Sequence, residues 1–175
     1  SYSLQRVSKT ALSTLSTELL KNLKKNLNLH FLPTKIIGFD ISHLQGQYMV
    51  SSAVYFVNGL PKKSLYRKFN INTVKGHSHD PEAIRETVFR RLKQCIDRNE
   101  ALPNLLVIDG GKGQLNYAEN ALSILKLDKK IDVIALAKRN EEIYMINQKN
   151  PIVLPKNSAC LQLLQRIRDE SHRFA

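Results

Sequence analysis

Two short apolar runs that each carry an aspartate constrain the fold of this chain more than any other feature. Residues 36–41 read Ile-Ile-Gly-Phe-Asp-Ile, and residues 105–109 read Leu-Leu-Val-Ile-Asp. Runs this short and this uniformly apolar are typical of strands that are buried on both faces of a parallel or mixed sheet. The sequence therefore predicts an α/β domain whose mixed sheet is flanked by helices.

The remaining strands are predicted from turn signals and alternation. Residues 132–137 form a third buried run, and segments 47–57 and 62–71 alternate on either side of an Asn58-Gly59 turn signal. Residues 143–154 fit a further short hairpin. We expect a meander of three strands followed by strands that alternate with helices, and pattern alone leaves other α/β arrangements open.

An amphipathic helix is predicted ahead of the sheet, from Ala11 to Leu29. Pro33 marks a boundary after it, so we expect an N-terminal helical connector (1–32) and a main domain (33–175). The apolar stripe of this helix repeats at three- and four-residue steps and consists of Leu12, Leu15, Leu19, Leu23 and Leu27.

Three more helices are predicted within the main domain. Asp80 and Pro81 suit the cap and first position of a helix that reaches about Asn99. Its apolar stripe ends at Cys95 or Ile96. The second runs from about Gln114 to Leu125, and Asn157 or Ser158 caps a last helix that reaches the end of the chain.

Charge and cysteine content narrow the class of partner. The formal net charge is +12 in 175 residues, which favours a polyanionic partner such as nucleic acid. Cys95 and Cys160 form neither a CxxC pair nor a zinc-finger cluster, so both are expected as buried, reduced thiols in a cytoplasmic protein. No apolar run reaches membrane-spanning length. The chain begins at Ser1 without Met, and we expect it to be part of a longer protein.

Asp40 and Asp109 are the first candidates for chemistry. A buried strand that ends on a carboxylate delivers it to the carboxyl edge of the sheet, and two parallel neighbours about 4.8 Å apart would bring both to one cation. Carboxylate ligands suit Mg²⁺ or Mn²⁺, which can polarise a phosphoryl oxygen and activate water for phosphodiester hydrolysis. Alternatively, each aspartate caps a loop or the following helix.

His172 is the third candidate, on the predicted last helix. Arg166, Asp169 and His172 lie three residues apart and are expected to share one helix face. His172 can act as a metal ligand or as a general acid or base if that face meets the aspartates, and otherwise it is a solvated residue.

Gly110 to Gly113 resemble neither a Walker loop nor a dinucleotide fingerprint, and we expect them to turn the backbone beside Asp109.

Basic residues are clustered on the hairpin, after two strands and on the last helix. Such clusters contact phosphates without reading bases, and any single member can instead belong to a solvated face. The residues expected to contact DNA are Lys62, Lys63, Arg67, Lys68, Lys112, Lys138, Arg139, Arg166 and Arg173.

Together, these motifs resemble the UvrC family of excinucleases over nearly all of 36–175. Around 78–81 the chain has Ser-His-Asp-Pro where many relatives have Asp-Asp followed by an aromatic residue. The matching stretches are Phe39-Asp40-Ile41-Ser42-His43 with Gln45-Gly46, Asn58-Gly59-Leu60-Pro61, Tyr66-Arg67-Lys68-Phe69, Ile108-Asp109-Gly110-Gly111-Lys112-Gly113-Gln114-Leu115, Leu136-Ala137-Lys138-Arg139 with Glu141-Glu142, and residues 164–175.

The resemblance implies an RNase H-like endonuclease domain of bacterial nucleotide excision repair that cuts 5′ to a lesion. It implies a catalytic and metal-binding triad of Asp40, Asp109 and His172 that uses Mg²⁺ or Mn²⁺. Damaged double-stranded DNA and UvrB, after loading by UvrA, are the implied partners, and the isolated chain is expected to be a monomer. The alternatives are a non-catalytic DNA-binding or assembly module and a stand-alone nuclease such as a junction resolvase.

Overall fold

The computed structural model describes residues 2–44, 48–71 and 81–175. The helices are α1 (Tyr2–Asn26), α2 (Pro81–Asp97), α3 (Lys112–Ile124) and α4 (Ala159–Phe174). The strands are β1 (Lys35–Leu44), β2 (Tyr48–Val57), β3 (Leu60–Pro61), β4 (Arg67–Asn70), β5 (Leu105–Asp109), β6 (Asp132–Leu136) and β7 (Ile143–Met145), and 3₁₀ turns span Lys63–Leu65 and Arg139–Glu141.

All seven strands belong to one mixed sheet, which confirms the predicted fold class. The strand order is β3-β2-β1-β5-β6-β7, and β4 pairs with the same edge of β2 as β3 does. The β1–β2 and β6–β7 pairs are antiparallel, whereas β1–β5 and β5–β6 are parallel. The chain therefore forms a meander first and crosses over through α2 and α3 afterwards.

Strand β1 is longer than predicted, and the difference has a clear origin. The expected strand stopped near Ile41, but β1 continues to Leu44 because its antiparallel pairing with β2 persists as far as the Leu44–Tyr48 pair. Its parallel pairing with β5 ends earlier, at Phe39 and Ile108. Asp40 therefore lies inside a continuous strand, at the point where the neighbour on one side stops.

Helix α1 begins earlier than predicted, at Tyr2 rather than Ala11, and ends at Asn26. Leu15 does not belong to its buried stripe, since it is 67% exposed. The end of the helix packs on α4, where Asn26 Nδ2 lies 3.7 Å from Cys160 Sγ. Burial is described from residue 14 onward, so the predicted Leu12 lies outside the described side chains, and the buried leucines in 14–29 are Leu20, Leu23, Leu27 and Leu29.

The other predicted helices are confirmed with small shifts. Helix α2 ends at Asp97 and buries Cys95 while Ile96 stays exposed; the expected Asp80 cap lies outside the described residues. Ser158 caps α4, and its Oγ accepts a hydrogen bond from the Leu161 amide.

The expected 143–154 hairpin is reduced to β7 and a single bridge. No helix among the described residues is long and apolar enough to cross a bilayer.

Helix α4 packs directly on the sheet at Gly38 of β1. A Cβ at Gly38 would clash with Cγ2 of Ile167 on α4 and would lie 3.2 Å from Cγ2 of Val54 on β2. Because alternate residues of a strand point to the same face, Gly38 and Asp40 share the face that α4 covers. The missing side chain at Gly38 therefore lets α4 approach Asp40.

Candidate active site

The two candidate carboxylates lie side by side on adjacent parallel strands. Phe39 pairs with Ile108, so Asp40 and Asp109 each follow that pair by one residue. The side chains of Asp40 and Asp109 are only 6% and 12% exposed. The sheet therefore places two nearly buried carboxylates next to each other, which confirms the expectation that their strands are parallel neighbours.

His172 reaches this pair from α4. Its Nδ1 lies 3.0 Å from Asp40 Oδ2, which also accepts a hydrogen bond from Ser42 Oγ at 3.4 Å. Its Nε2 lies 3.1 Å from Asp109 Oδ2. Among the described residues, Asp40, Asp109 and His172 form a set in which one ligand atom from each lies within 4.8 Å of the others.

The two nitrogens of His172 are not equivalent. Nδ1 is hydrogen-bonded to a carboxylate, which only accepts, so Nδ1 carries a proton in both charge states of the ring. Nε2 is buried and has no hydrogen-bond partner among the described residues, although Asp109 Oδ2 lies 3.1 Å away. In the neutral ring the lone pair of Nε2 lies beside this carboxylate oxygen, and a cation between them would relieve the repulsion. The three residues therefore fit a divalent metal ion.

The surroundings of Asp109 disfavour its ionised form. Burial raises its pKa, and the Asp40 carboxylate raises it further, although positive charge on His172, Lys138 and Arg168 opposes both effects. A divalent cation offsets both the burial and the repulsion between the carboxylates.

The helix face that meets the aspartates differs from the predicted one. Asp169 is 74% exposed and Arg166 is exposed, so the expected Arg166–Asp169–His172 face does not dock on the sheet. Arg168 lies on the His172 side of the helix, four residues before it, with a side chain only 13% exposed. The four-residue spacing from His172 would have selected Arg168 once the docking face of α4 was known.

Glu141, which sequence reasoning also missed as a site residue, binds Arg168 from the turn after β6. Glu141 Oε2 and Oε1 accept hydrogen bonds from Arg168 Nη1 and Nη2 at 2.7 and 3.1 Å. Asn140 and Glu141 both have positive φ, at 59° and 49°. This left-handed backbone costs roughly 1–2 kcal/mol for each ordinary residue, so the turn is strained beside the site.

Three further contacts hold the last turn of α4. Ser52 Oγ on β2, opposite Asp40 in the sheet, donates a hydrogen bond to the Ser171 carbonyl at 2.8 Å. Tyr66 OH donates to Glu170 Oε1 at 3.0 Å, and its ring packs edge-on against Phe174. The last turn of α4, which carries His172, is thus held by one contact with Ser52 and two with Tyr66.

Most of the residues predicted to contact DNA are exposed, and Lys68 and Lys138 lie near this centre. Lys68 Nζ is 4.8 Å from the Phe174 ring centre, two residues from His172, and Lys138 is close enough to lower the pKa of Asp109. Arg67 differs, because its guanidinium donates to two backbone carbonyls and pairs with Glu100 at 3.5 Å. The exposed members of the predicted set are Lys62, Lys63, Lys68, Lys112, Lys138, Arg139, Arg166 and Arg173.

A mixed sheet flanked by helices, with carboxylates on two adjacent strands and a histidine from the covering helix, defines a nuclease domain of the RNase H class. Residues 24–175 match the family model described as the UvrC RNAse H endonuclease domain. The chain belongs to this family.

Curated relatives are longer proteins. The UvrABC system protein C of Chlorobaculum tepidum is 51% identical over 156 residues, which cover 89% of this chain and 24% of that protein. That of Borreliella burgdorferi is 46% identical over 161 residues, which cover 91% of this chain and 27% of that protein. This chain therefore spans about a quarter of the length of such relatives.

Solved structures with a similar arrangement share little sequence. Human endonuclease V has a TM-score of 0.47 and 10% identity, with 92% of this chain and 97% of that chain covered. Endonuclease V of Ciona intestinalis, in complex with a 24mer DNA containing an inosine followed by a ribo-adenosine, has a TM-score of 0.46 and 13% identity; 95% of this chain and 68% of that chain are covered.

Proposed function

We propose that this chain is a metal-dependent DNA endonuclease domain of nucleotide excision repair that makes the incision 5′ to a lesion. One observation carries the proposal: the buried Nε2 of His172 has no hydrogen-bond partner among the described residues and lies 3.1 Å from a carboxylate oxygen of Asp109. Family membership of residues 24–175 supports the choice of DNA incision over other hydrolytic reactions.

Asp40, Asp109 and His172 would hold one Mg²⁺ or Mn²⁺ ion. A divalent cation there supplies positive charge for the phosphoryl oxygens as the phosphodiester is cleaved. Asp40 accepts a hydrogen bond from His172 Nδ1, so the proton of the neutral ring stays on Nδ1 and the lone pair of Nε2 is directed into the centre. Burial of both carboxylates limits the number of competing waters.

The surrounding cations would position the DNA backbone. Lys68 and Arg173 lie on one side of His172 and Lys138 on the side of Asp109, so a phosphate chain could follow positive charge across the centre. The substrate class is damaged double-stranded DNA. The proposed partner is UvrB, bound to the DNA after UvrA has loaded it, in a cytoplasmic assembly that includes the full-length protein.

The test is incision of a DNA duplex with one defined lesion by the full-length protein and its partner proteins, with each end of the damaged strand labelled. Asp40→Asn, Asp109→Asn and His172→Ala should each abolish the 5′ cut and leave the 3′ cut. Asp169→Asn is the matched control, since it removes a carboxylate from the same helix that is 74% exposed, and it should cut normally.

Three results would contradict the proposal. Normal 5′ incision by the Asp40 and Asp109 variants would remove these residues from the reaction. Failure of the wild type to cut under any divalent metal, combined with normal DNA binding, would favour a non-catalytic assembly module. Cleavage of undamaged junctions without UvrB would instead favour a stand-alone nuclease.

A further inference from the structure

The turn between β3 and β4 presents three consecutive backbone carbonyls to two arginines. The Leu65 carbonyl accepts a hydrogen bond from Arg91 Nη2 at 3.1 Å. The carbonyls of Ser64 and Tyr66 accept hydrogen bonds from Arg67 Nη1 at 3.0 and 2.8 Å. The path of the chain through this turn is therefore fixed by two guanidinium groups as well as by its own backbone hydrogen bonds.

Glu100 is the carboxylate that both arginines share. Its Oε2 accepts a hydrogen bond from Arg91 Nη1 at 3.2 Å, and its Oε1 lies 3.5 Å from Arg67 Nη2. The Arg91 side chain is completely buried, and the Glu100 side chain is 20% exposed. A buried guanidinium without a charged partner is very costly, because water no longer solvates its charge. Glu100 therefore supplies the negative charge that keeps Arg91 at the turn.

The end of α2 places Glu100 beside Arg91. Asn99 follows the helix with a φ of 53°, in the left-handed region that asparagine adopts more readily than most residues. The Glu100 amide then donates to the Cys95 carbonyl at 2.8 Å, so the chain folds back along the last turn of α2. Arg91 lies on this helix four residues before Cys95, and its Nη1 is 3.4 Å from Cys95 Sγ. The helix end and the buried arginine thus belong to one unit.

Tyr66, at the end of the same turn, contacts α4 on both sides of His172 in sequence. Its hydroxyl donates to Glu170 Oε1 at 3.0 Å, two residues before His172. Its ring packs edge-on against Phe174, two residues after His172, with 5.0 Å between the ring centres. A displacement of Tyr66 therefore reaches the turn of α4 that carries His172.

We propose that Glu100 is a positioning residue that acts through its two arginines to hold Tyr66 against the last turn of α4. Each step of this path is a direct contact: carboxylate to guanidinium, guanidinium to backbone carbonyl, and tyrosine to helix. The inference rests on the proposed function, in which His172 binds a divalent cation. Loss of the Glu100 charge would release the turn and leave the end of α4 without a fixed support.

Hydrogen exchange in the metal-free chain tests the support of α4. The variants are Glu100→Gln, Tyr66→Phe and the double variant, in the 175-residue chain, which has a continuous hydrophobic core of its own. Amide exchange of residues 168–175 is followed by mass spectrometry at a temperature at which circular dichroism shows every variant folded. Asp97→Asn is the matched control, because Asp97 is a carboxylate of the same helix that pairs with Lys93 at 3.0 Å and is 58% exposed.

Glu100→Gln and Tyr66→Phe should each speed this exchange about fivefold, which corresponds to the free energy of one ordinary hydrogen bond. The double variant should exchange no faster than Glu100→Gln, because both changes act through the same contact. Asp97→Asn should exchange like the wild type. If Glu100→Gln fails to fold, Arg67→Lys takes its place in each measurement, since it keeps the positive charge but loses the planar fork that reaches two carbonyls.

Mn²⁺ affinity extends the test to the metal centre. Mn²⁺ is titrated into each folded variant, and free Mn²⁺ is followed by electron paramagnetic resonance. Glu100→Gln and Tyr66→Phe should each weaken binding about tenfold, the lower end of the loss for groups that support metal ligands. The double variant should also bind about tenfold more weakly than the wild type, rather than about a hundredfold. Asp97→Asn should bind like the wild type.

A purely structural role gives a different pattern. It would lower the unfolding temperature of Glu100→Gln, and the effects of Glu100→Gln and Tyr66→Phe would multiply in the double variant, which overturns the inference. Wild-type exchange of residues 168–175 or wild-type Mn²⁺ affinity in Glu100→Gln would also overturn it. If the wild type binds no more Mn²⁺ than Asp40→Asn does, the proposed metal centre is wrong, and exchange in the metal-free variants still decides whether Glu100 holds α4.

Discussion

Replacing Gly38 with alanine tests whether the close docking of α4 sets the position of His172. The new Cβ would clash with Ile167 Cγ2 and would lie 3.2 Å from Val54 Cγ2. Carbon atoms pack at about 3.5–4.0 Å, so α4 must retreat by about 1 Å unless Ile167 changes rotamer. A β-branched residue in a helix has one strongly preferred rotamer, which makes the retreat of the helix the easier response.

The retreat has two measurable consequences. Overpacking of this kind costs about 1–3 kcal/mol, and each kcal/mol lowers the unfolding temperature of a domain of this size by about 2–4 °C. His172 follows Ile167 by less than two turns, so it moves with the helix. A misplacement of about 1 Å in a reacting group can cost on the order of 100-fold in rate. Gly38→Ala should therefore lower the thermal unfolding temperature, Mn²⁺ affinity and incision together.

A double variant and a control make the test specific. Ile167→Ala removes the clashing atom, so Gly38→Ala with Ile167→Ala should be less destabilised than the sum of the single changes by about 0.5–3 kcal/mol. Gly113→Ala, in α3 with open space around it, should stabilise the chain by about 1 kcal/mol through helix propensity. Additive single changes, or a Gly38→Ala variant that unfolds and binds Mn²⁺ like the wild type, would refute the reasoning.

Two further predictions concern charge. Burial raises the pKa of Asp109, so protonation of this carboxyl group stabilises the fold at low pH, and that stabilisation is lost as the pH rises through the raised pKa. In EDTA at neutral pH, Asp109→Asn should therefore raise the unfolding temperature. This gain should vanish below the ordinary pKa of 3.8. A gain that persists in acid would point to packing instead. For DNA binding, Lys68→Ala should reduce the slope of log affinity against log salt by about 0.9, whereas Arg67→Ala should leave it unchanged because Arg67 is already paired with Glu100. Equal slopes for the two variants would contradict this assignment.

The sequence was sufficient to predict the bounds of a strand that is apolar along its whole length. Strand β5 has the predicted bounds, 105–109, and the pairing of two such runs was enough to place Asp40 beside Asp109. The end of β1 was missed because Ser42 and His43 lie where only the hairpin partner β2 continues. Such an extension depends on one neighbour rather than on burial on both faces.

The ion pair of Arg168 and Glu141 beside the site was harder to predict. A helical wheel groups Arg168 with His172 as readily as Arg166 with Asp169, and the choice depends on which face docks. That choice is made by Gly38, which admits Ile167, and nothing local to α4 indicates it. Glu141 was missed because its position depends on two positive φ values at residues that are not glycine.

The separation of the site residues along the chain has a consequence for biosynthesis. Asp40 and His172 are 132 positions apart, and the Ser52 hydroxyl that supports the same turn is 119 positions from Ser171. Contacts between such distant segments form late, because the loop between them must first be closed. A nascent chain that has not yet released α4 from the ribosome can build most of the sheet but lacks the third residue of the centre. Under the proposed function, nuclease activity therefore begins only once α4 has reached the sheet.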